Sequence, residues 1–293
     1  MRKFHFKKYF MSKKSVGSEN QDITITSIPV IMRKFHLIFG IKINDLSDQE
    51  LRQMIFGWLS GNEAKTIVTP NPEFFLLSKK DKEFCEFLKK SDLSLPDGVG
   101  LVYAVAALTD SFLKYRHTGV DAVDLLVSTG VKIVFVGAHP EIAKAAVVKL
   151  KNKCPSANII TVNPGIVSSD GTPPPEIINE IAAAKPQILA VVLGQGKQEK
   201  FIAKVLPNLP SVRIAIGVGG ALDMIAGFHP RAPFLMRQMG LEWLWRLFLE
   251  PKRWPRIFRA VFVFPADVVW ATLQKHCFWR ACLRVALVLI KRK

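Results

Sequence analysis

Between residues 37 and 220 short apolar runs alternate with amphipathic segments, and this alternation predicts the elements. The run Lys65-Thr66-Ile67-Val68-Thr69 is β-branched and stops at Pro70, as a strand would. Asn71 before Pro72 is a strong helix start, because Asn accepts from free amides and Pro suits the first helical position. From Phe74 the apolar residues Phe75, Leu76, Phe84, Phe87 and Leu88 fall mainly on one helical face, predicting a helix that returns the chain to the sheet. Leu93-Ser94-Leu95 is a second short strand ending in Pro96-Asp97-Gly98, followed by an apolar helix over 99–108.

The pattern continues on both sides. A strand is expected over 37–43 and a helix from the capping box Ser47-Asp48-Gln49-Glu50 to about residue 59. Beyond residue 120, helices are expected at 121–128, 140–152, 175–184 and 198–206, with strands at 132–137, 158–162, 187–193 and 212–218. Strands this solidly apolar, separated by helices, argue for an α/β fold with a mostly parallel, Rossmann-like sheet covered by helices on both faces. Strand order is not legible.

In such a sheet the carboxyl ends of the strands bind ligands. Thr69, Asn71 and Asp97 fall there, although spacing alone fits plain helix caps as well. Gly194-Gln195-Gly196-Lys197-Gln198-Glu199 follows a strand and opens a helix, so free amides with Lys197 could receive a phosphate. It is neither a Walker A loop nor a dinucleotide fingerprint. Gly217-Val218-Gly219-Gly220 ends the next strand, with Asp223 one helical turn later, and reads equally as a tight turn.

Composition adds a boundary. The chain has 293 residues, 49% of them hydrophobic, enough for one substantial α/β domain plus appendages. Cys85, Cys154, Cys277 and Cys282 form no C-x-x-C pair, which indicates neither a disulfide framework nor a zinc site and fits a reducing cytoplasm. Of the net charge of +17, nearly all lies at the ends: residues 1–36 hold eight Lys/Arg against two acids, and 246–293 eleven against two. Three segments follow: a basic, flexible extension over 1–36, the α/β domain over 37–245, and a basic, aromatic appendage over 246–293. MRKFH recurs at Met32, which marks that methionine as an alternative start. In the appendage, Pro265, Asp267, Lys275 and Arg280 interrupt the apolar runs short of the roughly 20 residues needed to cross a bilayer, so helices lying on an anionic membrane surface are expected. The alternative is a packed bundle within a homo-oligomer.

No D-x-D, H-E-x-x-H or paired His/carboxylate motif occurs, so neither a metal nor another cofactor is expected. Basic groups would then stabilise a phosphate leaving group, with Arg116, Lys197, Arg231 and the tail arginines as candidates. His139 and His229 each precede a proline and fit surface or packing roles. No nucleophile triad assembles, and no RNP-like, KH-like or zinc-knuckle motif suggests a nucleic-acid partner. The glycine fingerprint of a nicotinamide oxidoreductase near a first strand is also missing.

Seven motifs in register resemble the WecG/TagA/CpsF family of bacterial glycosyltransferases over about residues 37–259. They are Thr69-Pro-Asn71-Pro, Pro96-Asp97-Gly98, Arg116-His-Thr-Gly119-Val-Asp121, Gly194-x-x-Lys197-Gln198-Glu199, Gly217-Val-Gly-Gly220-x-x-Asp223, Arg231-Ala-Pro233, and Glu242-Trp243-x-x-Arg246 with Glu250-Pro251-x-Arg253. Gly196 departs from the family, which usually has proline there. The resemblance implies a cytoplasmic enzyme at the inner face of the membrane. It would move an N-acetylmannosamine-type sugar, or its uronate, from UDP to a polyprenyl-diphosphate-linked amino sugar, with inversion and without a metal. Asp97 would be general base, with Thr69 and Asn71 positioning the sugar. Gln198, Glu199, Gly219, Gly220 and Asp223 would hold the nucleotide, while Arg246, Arg253 and Arg256 would neutralise the diphosphates. A catalytically silent membrane scaffold is the rival reading.

Overall fold

The computed structural model describes residues 34–228, 232–233, 235–236 and 241–291. The expected basic extension therefore lies, up to Arg33, outside the described residues, as do His229 and Arg231. Six strands form one parallel sheet in the order β4-β3-β8-β7-β5-β6. They are β3 (Lys65–Val68), β4 (Leu93–Ser94), β5 (Ile133–Gly137), β6 (Ile159–Val162), β7 (Ile188–Val192) and β8 (Ile214–Gly217). The helices between them are α2 (Pro72–Ser78), α3 (Lys82–Lys90), α4 (Val99–Leu108), α5 (Gly119–Ser128), α6 (Pro140–Lys153), α7 (Pro175–Ala184) and α8 (Lys197–Val205), and α9 (Ala221–Ala226) follows β8.

The apolar strand runs have a direct cause. Val134, Val136, Leu189, Val191 and Ala215 pack on α7 and α8. Their alternates Ile133, Phe135, Ile188, Ala190, Ile214 and Ile216 are completely buried toward the other face. Period-two alternation puts both sets in a core, so the central strands β5, β7 and β8 carry no polar residue. At about 1.5–3 kcal/mol per fully buried large side chain, this packing holds the sheet centre together.

Helix placement then defines a crevice. The helix pair after β3 shares a face with α8, since α3 packs on α8, whereas α9 after β8 packs with α5 and α6 on the other. Adjacent strands β3 and β8 thus send their following helices to opposite faces, the switch point at which open α/β sheets bind ligands.

Three expectations change. The strand expected over 37–43 is a two-stranded antiparallel hairpin, β1 (Phe35–Ile38) and β2 (Ile41–Asn44), leading into α1 (Asp48–Ser60). Its turn places Phe39 and Gly40 at φ 47° and 80°, and Phe39 stays there because its ring packs on Phe75 and Phe264. The single helix expected from Phe74 to Leu88 is two: Asp81 caps α3 afresh, its carboxylate accepting from the Phe84 amide at 3.0 Å. The third change concerns the C-terminal region.

There α10 (Glu242–Leu249) is followed by α11 (Trp254–Phe258), a π-helical turn at Arg259–Val263, α12 (Phe264–Gln274) and α13 (Phe278–Lys291). Pro265 does not interrupt this run. The proline lacks an N–H and crowds the carbonyl four residues back, and the π turn widens the backbone there. Pro251–Gln274 is consequently a helical run of 24 residues, long and apolar enough by composition to cross a bilayer. One stripe of it is committed to the protein: Phe264 and Val268 join the core of Phe74, Phe75 and Leu101, and Asp267 pairs with Lys79 at 2.7 Å. Arg284 of α13 reaches the last carbonyls of α4, Ala106 at 2.7 Å and Ala107 at 3.2 Å, and pairs with Asp110.

Candidate active site

The loops after β4, β3, β8 and β7 stand side by side at the carboxyl rim, because their strands are neighbours in that order. Thr69, Asn71, Asp97, Gly219, Gly220 and the 194–196 loop therefore belong to one edge. The Asp97 amide donates to the Pro70 carbonyl at 2.9 Å, joining the first two loops beyond the last strand residues. Gly98 needs its positive φ of 83° to turn into α4, and a Cβ on Gly100 would lie 2.6 Å from Pro72. Glycine here lets the start of α4 lie against the start of α2, holding the half-buried Asp97 beside Asn71.

Asn71 is indeed a cap. Its Oδ1 accepts from the amides of Glu73 at 2.9 Å and Phe74 at 3.2 Å, which leaves its side-chain nitrogen for a ligand. Thr69 is 7% exposed, and its hydroxyl makes no hydrogen bond among the described residues. A buried hydroxyl at a ligand-binding edge without a protein partner is a group suited to a substrate.

The nucleotide candidates divide. Gln198 and Glu199 are 2% and 1% exposed, and both act inside the rim. The Glu199 carboxyl accepts from the Gly196 amide at 2.6 Å and from Gln198 Nε2 at 2.8 Å, while Gln198 Oε1 accepts from the Gly219 amide at 3.0 Å. A relay of three hydrogen bonds thus ties the β7 loop to the β8 loop. Gly217 must be glycine for it, since a Cβ there would sit 2.6 Å from Gln198 Cδ. Burial pushes the Glu199 carboxyl up to about 7, against two donors that favour its charged form. Gly196 adopts φ 85°, which proline cannot, so this loop takes a path that a proline at the position would forbid. Lys197 donates to the Val167 carbonyl at 3.0 Å, which commits its ammonium to the loop after β6. Asp223 is half-exposed beside Gly220, without a hydrogen bond to its carboxylate among the described residues.

Arg116 sits in a loop anchored from three sides. Asp45 Oδ1 accepts from the Lys114 and Tyr115 amides at 3.0 and 2.9 Å, and the His117 ring bonds the Leu46 carbonyl at 2.7 Å. A Cβ on Gly119 would lie 3.5 Å from Val218 O and Ala221 Cβ, so this loop backs onto the one after β8. The tail arginines differ among themselves. Arg256 reaches Glu73 through Nε at 2.8 Å and Nη2 at 2.7 Å, two residues from Asn71. Arg253 pairs within its own turn with Glu250, and the side chain of Arg246 lies outside the described residues. Sequence reasoning missed Glu73: as the second residue of α2 it reads as an ordinary acidic first-turn residue.

The rim carries the Asp97 and Asp223 carboxylates and the buried Thr69 hydroxyl, and the comparison with known families says what kind of protein carries it. The model of the glycosyl transferase WecG/TagA/CpsF family matches residues 36–277. The chain belongs to this family. It is accordingly a glycosyltransferase, and the seven motifs named above lie within the matched span. Relatives include the N-acetylglucosaminyldiphosphoundecaprenol N-acetyl-beta-D-mannosaminyltransferase of Bacillus subtilis strain 168, 35% identical over 65% of this chain and 74% of that protein. The enzymes of the same name from Bacillus spizizenii strain W23 and Staphylococcus aureus strain MRSA252 are 30% and 28% identical, over 73% and 65% of this chain and 84% and 74% of theirs.

Proposed function

We propose that this glycosyltransferase moves an N-acetylmannosamine-type sugar from UDP to N-acetylglucosamine carried on a polyprenyl diphosphate, in the synthesis of a cell-surface polymer. The acceptor and the transferred sugar are those named for relatives that share most of its length. The observation that supports the mechanism is that the loops carrying Asp97 and Thr69–Asn71 are joined at the carboxyl ends of β4 and β3, next to the loop after β8. Asp97 accepts the proton of the acceptor hydroxyl as its oxygen attacks the anomeric carbon. The bond to UDP breaks on the opposite side, and the configuration inverts. Thr69 and the Asn71 amide orient the sugar. The Gly219-Gly220 turn, held in place by Gln198, receives the nucleotide, with Asp223 at the turn and Arg116 in the loop that backs onto it. Arginines from the appendage, Arg256 nearest, offset the diphosphate charge without a metal.

The enzyme works as a peripheral protein on the inner face of the membrane. Trp254, Phe258, Phe262, Trp270 and Trp279 are exposed along the appendage, near Arg259, Lys275 and Arg280, a composition suited to anionic head groups. Because Phe264, Val268 and Asp267 hold the run of 24 residues to the α/β core, it lies along the interface. Incubating purified protein with several UDP-sugars and a short-chain lipid-linked acceptor tests the reading. Transfer from UDP-N-acetylmannosamine is expected, and transfer from no UDP-sugar overturns it.

A further inference from the structure

The pair between Glu73 and Arg256 supports an inference that rests on the functional reading above. We propose that Glu73 is the positioning residue for Arg256: its carboxylate holds one edge of the guanidinium at the rim and presents the other edge to the diphosphate of the lipid acceptor.

The two residues are 183 positions apart, and their pairing joins the appendage to the first turn of α2. Glu73 is itself fixed relative to the site, because its amide donates to Asn71 Oδ1 at 2.9 Å within a capped helix. Nε and Nη2 of Arg256 both reach the same oxygen, Oε2. Of the five N–H donors of a guanidinium, the hydrogen bond to Glu73 uses the one on Nε with Nη2 in ion-pair contact beside it, so the Nη1 edge faces away from Glu73. The Arg256 side chain is 47% exposed, so its remaining edge meets solvent where an acceptor would arrive. An arginine held in place loses less freedom on meeting a diphosphate than one sampling its rotamers in water. At the other end of α2, Lys79 pairs with Asp267 at 2.7 Å and secures the same helical run away from the capped end.

Charge and positioning predict opposite signs for one substitution. A carboxylate beside an anion site repels the anion, so if Glu73 were merely a neighbour, Glu73→Gln would tighten binding. If it positions Arg256, the same change weakens binding despite the more favourable net charge.

The test is calorimetric titration of the full-length protein with a short-chain polyprenyl-diphosphate-linked N-acetylglucosamine. Glu73→Gln and Arg256→Gln should each weaken binding roughly tenfold, the scale of one charge-assisted contact, and the double variant should be no worse than Arg256→Gln alone. Glu73→Asp should recover part of the affinity, and Lys79→Gln should leave it unchanged. Thermal unfolding of Glu73→Gln should match the unmodified protein, because an exposed ion pair adds little stability. Unchanged or tighter binding in Glu73→Gln, additive effects of the two substitutions, or no binding by the unmodified protein would overturn the proposal. Binding without sugar transfer fails the functional reading alone.

Discussion

Replacing Glu199 by glutamine isolates the ionisation of a single buried carboxyl. The folded protein holds that proton up to about pH 7, against an ordinary value of 4.5, because burial outweighs the two N–H donors at its oxygens. Between pH 4.5 and 7 the unfolded chain has released the proton and the folded chain has not. The contribution of the group to stability is therefore complete below 4.5, falls as pH rises to 7, and is constant above. At 1.36 kcal/mol per pH unit the gap amounts to about 3 kcal/mol. Glutamine cannot titrate, and its NH2 would face one of the two donors, a fixed penalty at every pH. Urea unfolding of both proteins from pH 4.5 to 8 gives a difference curve in which other titrating groups cancel. The unmodified protein should lose about 3 kcal/mol relative to the variant across that window. A flat difference, or one that grows with pH, would refute the claim that burial controls this carboxyl.

Three further outcomes follow from the same geometry. Gly217→Ala places a Cβ against Gln198 and should cost about 1–3 kcal/mol by melting, with a raised KM for the UDP-sugar as the Gly219 amide loses its partner. Lys197→Met should leave that KM unchanged, because the ammonium is bound to the Val167 carbonyl; a marked rise would return Lys197 to the phosphate site. Arg284→Met removes the donors from the Ala106 and Ala107 carbonyls and should lower stability by about 1–3 kcal/mol in thermal unfolding.

The strands were legible because a parallel sheet buries both faces, so runs such as Ile133–Gly137 carry no polar residue. The rim was legible for a related reason: turn chemistry at Pro70, Asn71 and Gly98 marks where strands stop. The break at Asp81 was not, since α2 and α3 present their phenylalanines to one core and the stripe stays in phase across the gap. Nor was the hairpin, because nothing local predicts a phenylalanine at φ 47°; rings from Phe75 and Phe264 hold it there. Pro265 reads as a helix breaker, and only the π turn before it shows how the backbone accommodates the ring. Within the site, Gln198 and Glu199 have the polarity of exposed ligands yet are buried, because the partner that absorbs Gln198 is an amide 21 residues further on. Long-range pairs such as Glu73 with Arg256 leave no mark on spacing.

Asp97→Asn tests the central claim most directly, because it keeps size and removes the base. Measured as sugar transfer from UDP-N-acetylmannosamine to a short-chain lipid-linked acceptor, turnover should fall by about 10²–10⁴ while the unfolding midpoint and UDP binding stay as they were. Turnover equal to that of the unmodified protein would contradict a catalytic carboxylate at this rim.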